Sequence, residues 1–128
     1  MNRTEARELA MKCIFQMEAQ NEFVKENVEN LLAQEQLGQH KEYIDSILNN
    51  VCEHIEEINQ SINEYSKGWP ISRMAKTDLA VTRLAICEIL YLDQIPKAVA
   101  INEGVELAKR YGNDQSFKFI NAILKNIG

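Results

Sequence analysis

Apolar residues recur along this chain at the three-to-four-residue spacing of helices and almost nowhere with the alternation of strands. Ala6, Ala10, Cys13 and Met17, flanked by Leu9 and Ile14, predict a first helix over about 4–20, with Thr4 as its cap. Val24, Val28, Leu31 and Leu32 predict a second over 22–36, stopped by Gly38. One unbroken stripe of Tyr43, Ile44, Ile47, Leu48, Val51, Ile55, Ile58 and Ile62 predicts a single long helix over 40–65. Gly68 and Pro70 then break the pattern, and Trp69 between them is expected to wedge between two halves. After a short turn at 72–76 and Asp78, the run LAVTRLAICEILYL is apolar on nearly every side, as befits a central buried helix. Arg83 and Glu88 are its only charges, expected either to pair with neighbouring helices or to reach the surface.

Two more helices close the chain. Pro96 cannot donate a backbone hydrogen bond and opens the first of them. Val99, Ile101, Val105 and Ala108 form its apolar side, with Glu103, Glu106 and Lys109 opposite. Gly112 is positioned to end it in the left-handed conformation, and Ser116 to cap the next. Phe117, Ile120, Leu124 and Ile127 give the last stripe. The sum is an all-α fold: one domain, residues 1–128, of six to seven helices in two subdomains, a three-helix half over about 1–67 and a second half over about 70–128.

Composition narrows the class. The chain is 45% hydrophobic and 26% charged, an ordinary globular balance for 128 residues. No run approaches a membrane span and MNRTEARELA lacks a signal-peptide core, so the cytoplasm is the expected location. Cys13, Cys52 and Cys87 fit neither a disulfide framework nor a zinc pattern and read as small buried hydrophobes. The net charge of −5 is unevenly placed. Residues 1–69 hold six basic and thirteen acidic side chains (6 − 13 = −7), and residues 70–128 eight and six (8 − 6 = +2). A polyanion is therefore tolerated only near the two ends of the chain.

Catalytic patterns are missing. No Gly-rich phosphate loop, zinc-spaced histidine pair or nucleophile elbow is present, and Glu88 has no companion acid, base or nucleophile. His40 and His54 are too far apart for a metal pair and read as surface residues. No cofactor is implied.

Recognition chemistry is what remains. Arg3 and Arg7, four residues apart, share one edge of the first helix. Phe15 projects about 170° from that helix's apolar face, where it is either covered by another element or serves a partner. Tyr111 follows Lys109 and Arg110, while Lys118, Asn121 and Lys125 group together, with Phe119 about 80–100° from the last stripe. Cations suit phosphates and aromatic faces suit unstacked bases, though the same residues also fit core aromatics beside a solvated lysine face. With about three to five phosphates neutralised, the salt slope on single-stranded RNA would be only about −2 to −3.5. Binding alone is then expected to be weak, needing a second protein to extend the surface.

The segment PKAVAINEGVELAKRYG followed by SFKFINAIL resembles the C-terminal signature of the NusB antitermination family. Val99 to Glu103, Glu106 to Lys109, and Lys118, Phe119 and Asn121 match, with Ile120 and Ala122 in place of Val and Gly. AREL-A near the N-terminus and RLAICEIL extend the likeness over most of the chain. The resemblance implies a protein that binds the boxA RNA of ribosomal RNA leader transcripts together with NusE, a ribosomal small-subunit protein, in the RNA polymerase antitermination complex. It places Arg3, Arg7 and Lys12 on the RNA side with Tyr111, Lys118, Phe119 and Asn121, and Phe15 and Asp78 on the protein-partner side. The first helix is less basic than in richly basic members. A protein-only adaptor is the alternative, and a monomer and a homodimer both fit. A related domain begins some RNA cytosine methyltransferases, but no such catalytic segment is expected here.

Overall fold

The computed structural model describes all 128 residues as seven α-helices joined by short turns: α1 (Arg3–Ala19), α2 (Glu29–Ala33), α3 (Lys41–Glu53), α4 (Ile55–Tyr65), α5 (Lys76–Tyr91), α6 (Lys97–Tyr111) and α7 (Ser116–Leu124). No strand is formed, and no helix is long and apolar enough to cross a membrane. Helix α5 is the axis: every residue from Asp78 to Glu88 is buried, and α1, α3, α4, α6 and α7 all pack on it. One cluster of 32 buried apolar residues runs through both halves of the chain.

Several boundaries differ from the periodicity. The cap of α1 is Asn2, not Thr4: its side chain accepts from the Glu5 N–H at 2.8 Å while Glu5 accepts from the Asn2 N–H at 2.9 Å. That reciprocal pair is a capping box and satisfies two of the helix's free donors. The second helix is shorter than its stripe, a 3₁₀ turn at Lys25–Val28 leading into five residues of α2. The single long helix is two, parted at His54. Because Val51, Ile55 and Ile58 stay in phase across the break, the stripe carries no sign of it.

In α6 the buried face is Ala100, Gly104, Leu107 and Ala108, one position round from the stripe of larger residues, and Val99 stands 41% exposed. Small residues win the centre because α6 lies so close on α5 and α7. A Cβ at Gly104 would sit 3.1 Å from the Ala85 Cβ and 3.3 Å from Leu124. Gly112 ends α6 without a left-handed φ; its backbone is extended (φ −100°, ψ −171°). Its lack of a side chain matters for space, since a Cβ there would lie 2.5 Å from the Ser116 Oγ and 2.7 Å from the Ala108 carbonyl.

Candidate RNA and partner interface

Two buried ion pairs fix α1 on α5. Arg7 meets Glu88 through two contacts, Nε to Oε2 at 2.9 Å and Nη2 to Oε1 at 3.3 Å, and the Tyr43 hydroxyl donates to the same carboxylate. Burial works against the Arg7 charge, but the Glu88 carboxylate outweighs it and holds the guanidinium above its ordinary value. Burial, reinforced by Glu88, raises the Tyr43 phenol strongly. Arg83 reaches Glu18 at 2.9 Å and Asn59 at 3.0 Å; here burial prevails and lowers the guanidinium. Arg83 and Glu88 thus both pair with neighbouring helices. Arg7, with 6% of its surface exposed, does not share an open edge with Arg3. The expectation of two free first-helix arginines is corrected to one, because the apolar surroundings of Glu88 demand a fixed counter-charge.

Arg3 is half-buried, lying 4.2 Å over the Tyr43 ring with its Nε 3.4 Å from the His40 Nδ1. His40 is itself buried rather than on the surface. His54 is half-buried, stacked on Tyr91 at 4.1 Å and bonded to Glu57.

Glu8, one helical turn before Lys12, draws α1 to the end of α6. The Tyr111 hydroxyl donates to its carboxylate and Arg110 contacts it at 3.0 Å. Those two partners hold Glu8 below the usual carboxylate range, and the same bond raises the Tyr111 phenol. Along this side of α1, Lys12 is exposed and Phe15 is 40% exposed, so no element of the fold covers that ring.

From Tyr111 the chain turns into a cleft of about 500 Å³ between the start of α5 and α7. Asn113 prepares it: its Oδ1 accepts from the Gln115 and Ser116 N–H groups at 2.9 and 3.1 Å. That capping role was expected of Ser116. The Ser116 hydroxyl instead donates to the Asp78 Oδ2 at 3.0 Å. The other oxygen, Asp78 Oδ1, is buried without any partner. Phe119 is half-buried in the cleft wall, and Trp69, Lys67 and Arg73 line it. Trp69 is no wedge; it is 48% exposed. The turn before it is closed by the Ser66 hydroxyl donating to the Trp69 carbonyl at 2.6 Å, which holds this backbone outside the core.

Lys118 and Asn121 lie elsewhere, in a groove between α6 and α7 that also holds Lys109, Phe117 and Lys125. The residues singled out in the sequence therefore fall on four surfaces: Arg3 against Tyr43 and His40; Lys12 and Phe15, with Tyr111 joined to them through Glu8, round the other side of α1; Asp78 and Phe119 in the cleft; Lys118 and Asn121 in the groove. Sequence reasoning missed Trp69 and Arg73 as surface groups. A Trp placed between Lys67 and Arg73, in a segment broken by Gly and Pro, was the available signal.

The model of the NusB family matches residues 4–128. The transcription antitermination protein NusB of Acetivibrio thermocellus is 46% identical over 128 residues, covering 99% of this chain and 88% of the relative. The protein of the same name from Alkaliphilus oremlandii is 46% identical over 125 residues, covering 97% and 91%. Among solved structures, T. maritima NusB superposes with a TM-score of 0.90 at 33% identity, covering 99% of this chain and 90% of that one. A chain in a structure described as the crystal structure of a plectonemic RNA supercoil superposes with a TM-score of 0.86 at 25% identity, covering 98% and 92%.

Proposed function

The chain belongs to the NusB family, whose relatives are named transcription antitermination proteins, and on that premise we propose that it is an adaptor joining boxA RNA to NusE. In this reading it holds the boxA segment of a ribosomal RNA leader transcript, binds NusE beside it, and links both to elongating RNA polymerase. It works by recognition and needs no catalytic group.

The observation that carries the proposal is the cleft at Asp78. The Asp78 Oδ1 is enclosed, so what the side chain offers a partner at the cleft wall is a carboxylate fixed in place by the Ser116 hydroxyl. Trp69 and Phe119 flank it with ring surface, and Lys67 and Arg73 supply positive charge. Asp78 with the uncovered Phe15 forms the NusE side. Phe119, the ring at Tyr111, the cations Arg3 and Lys12, and Lys118 with Asn121 form the RNA side. Arg7 serves that side indirectly, by fixing the helix that carries Arg3 and Lys12.

Asp78→Asn tests the cleft directly. The substitution keeps the size and an acceptor for Ser116 but turns the orphan acceptor into a donor. Titration calorimetry with NusE should show affinity reduced about tenfold or more, the effect of removing one partly desolvated charge from the interface. Unchanged affinity would remove Asp78 from the NusE surface.

One observation favours a second reading, an adaptor that binds protein without RNA. With Arg7 committed to Glu88, α1 offers only Arg3 and Lys12 as accessible cations. RNA added to the NusE complex separates the two readings.

A further inference from the structure

The groove between α6 and α7 is a concave surface of this acidic protein lined by three lysines and no carboxylate. Lys109, Lys118 and Lys125 line it together with Phe117, Asn102 and Asn121. The Lys109 and Lys118 ammonium groups stand 5.1 and 5.9 Å from the centre of the Phe117 ring. Lys97 adds a fourth cation nearby, donating to the Lys125 carbonyl at 3.2 Å. Glu106 contacts Lys109 at 3.6 Å, but both side chains are half or more exposed, and such a pair neutralises little in water.

We propose that this groove is a second RNA-backbone track, engaging transcript that extends beyond the boxA segment. The proposal rests on the RNA reading above and extends it: Lys118 and Asn121, already on the boxA side, border the groove, and Lys109, Lys125, Asn102 and Phe117 carry the continuation. Lysines act on phosphates as point charges without demanding a fixed plane, so they suit a strand held by its backbone rather than by its bases. The two asparagines offer donors and acceptors to ribose or base edges. The Phe117 ring, with Lys109 and Lys118 near it, offers a stacking surface tolerant of any base. The groove also lies where continuing RNA would arrive. Phe117 and Phe119 are two residues apart on α7, about 200° round the helix, so they face opposite sides of an element roughly 10–12 Å across. Lys118 stands between them in sequence, and a strand leaving Phe119 meets it on the way to Phe117.

The test compares two labelled RNAs by fluorescence anisotropy over a salt series: a boxA-length oligonucleotide, and the same oligonucleotide extended with uridines at either end. The protein is the full chain with NusE, as wild type and as Lys109→Gln/Lys125→Gln; both substituted side chains are exposed. Wild type should bind one extended RNA several-fold tighter than the short one, with a steeper salt slope. The double variant should bind the short RNA as wild type does, lose the gain from extension, and lose about 1.4 units of slope on the extended RNA. Equal affinity of wild type for both lengths would overturn the second track while leaving boxA recognition intact. Equal loss on short and extended RNA would place these lysines in the boxA site itself and likewise overturn it. Binding of a polyglutamate peptide that the double variant abolishes, with no gain from RNA extension, would assign the groove to an acidic protein instead. Failure of wild type to bind either RNA would overturn the RNA reading and the track together.

Discussion

Arg7 on α1 and Glu88 on α5, 81 positions apart, close a buried ion pair at 2.9 Å onto which the Tyr43 hydroxyl of α3 also converges. Three helices thus meet at one carboxylate. The pair withdraws from the accessible surface a cation that sequence alone would leave there.

Arg7→Ala should therefore act on stability. Leaving Glu88 buried without its partner costs about 3–5 kcal/mol, enough to lower Tm by roughly 10 °C or more in a domain of this size. Arg7→Leu combined with Glu88→Leu and Tyr43→Phe, which leaves no polar member of the cluster unpaired, should recover most of that loss. In contrast, Arg3→Gln should leave Tm nearly unchanged and reduce the RNA salt slope by about 0.7. Thermal melts and salt titrations of the three variants decide it; an Arg7→Ala protein with native Tm would contradict the buried pair.

Gly112→Ala should be harmful although the backbone there is extended. The added methyl meets Ser116 and the Ala108 carbonyl within 2.7 Å, and overpacking of this kind costs roughly 1–3 kcal/mol. Because Ser116 is the donor to Asp78, NusE affinity should fall along with denaturation midpoint. A variant losing stability alone would uncouple the turn from the cleft.

Acid should weaken the contact between α1 and α6. Glu8 has a folded pKa held below its ordinary 4.5 by the Tyr111 hydroxyl and then by Arg110. A depressed carboxylate contributes stability that is complete above the ordinary value and lost as pH falls through the lower folded one. The stability difference between wild type and Glu8→Gln in urea should be constant from pH 7 down to about 5 and shrink below 4.5. A difference that persists to the lowest pH would mean the carboxylate charge is not what Tyr111 and Arg110 hold.

The cysteines should separate by environment. Burial pushes the Cys13 and Cys87 thiols up to about 12, while Cys52 is half-buried and raised less. Native protein at pH 8 should label first at Cys52, with Cys13 and Cys87 reacting only on unfolding; mass mapping of the alkylated sites reads this.

Much of the fold was legible because buried faces repeat locally. The all-apolar run over α5 announced the central helix, and each stripe marked a helix that exists. What failed was whatever the period does not encode. The break at His54 keeps the phase of its stripe, so nothing in the pattern shows it. In α6 the closest approach selects Gly104 and Ala100 over bulkier neighbours, and a reading keyed to large apolar residues points one position off. The fates of Arg7 and Arg83 were set by Glu88 and Glu18, 81 and 65 positions away, beyond any i, i+4 argument. The candidate site was legible as residues but not as surfaces. Lys118 and Phe119 are adjacent in sequence, yet one faces a groove and the other a cleft. The first helix's cap fell at Asn2 with Glu5 three residues on, a spacing present in the sequence that the choice of Thr4 passed over.

Phe119→Leu gives the cleanest separation of packing from recognition. Phe119 is half-buried against the core, so truncation to alanine would disturb both; leucine keeps the packing and removes the stacking face. RNA affinity should drop by about 1–3 kcal/mol, with Tm within a few degrees of wild type. Unchanged affinity would assign the ring to the core alone.

The joining of RNA to NusE by this protein is read out by the anisotropy of a labelled boxA RNA. The RNA is titrated with this protein alone, with NusE alone and with the two together, at two salt concentrations. An adaptor gives weak binding by this protein alone, tighter binding by the pair than by either component, and an affinity that falls as salt rises. A stable complex with NusE whose affinity is unaffected by RNA, and to which the RNA adds no anisotropy, would contradict it and leave a protein-only scaffold.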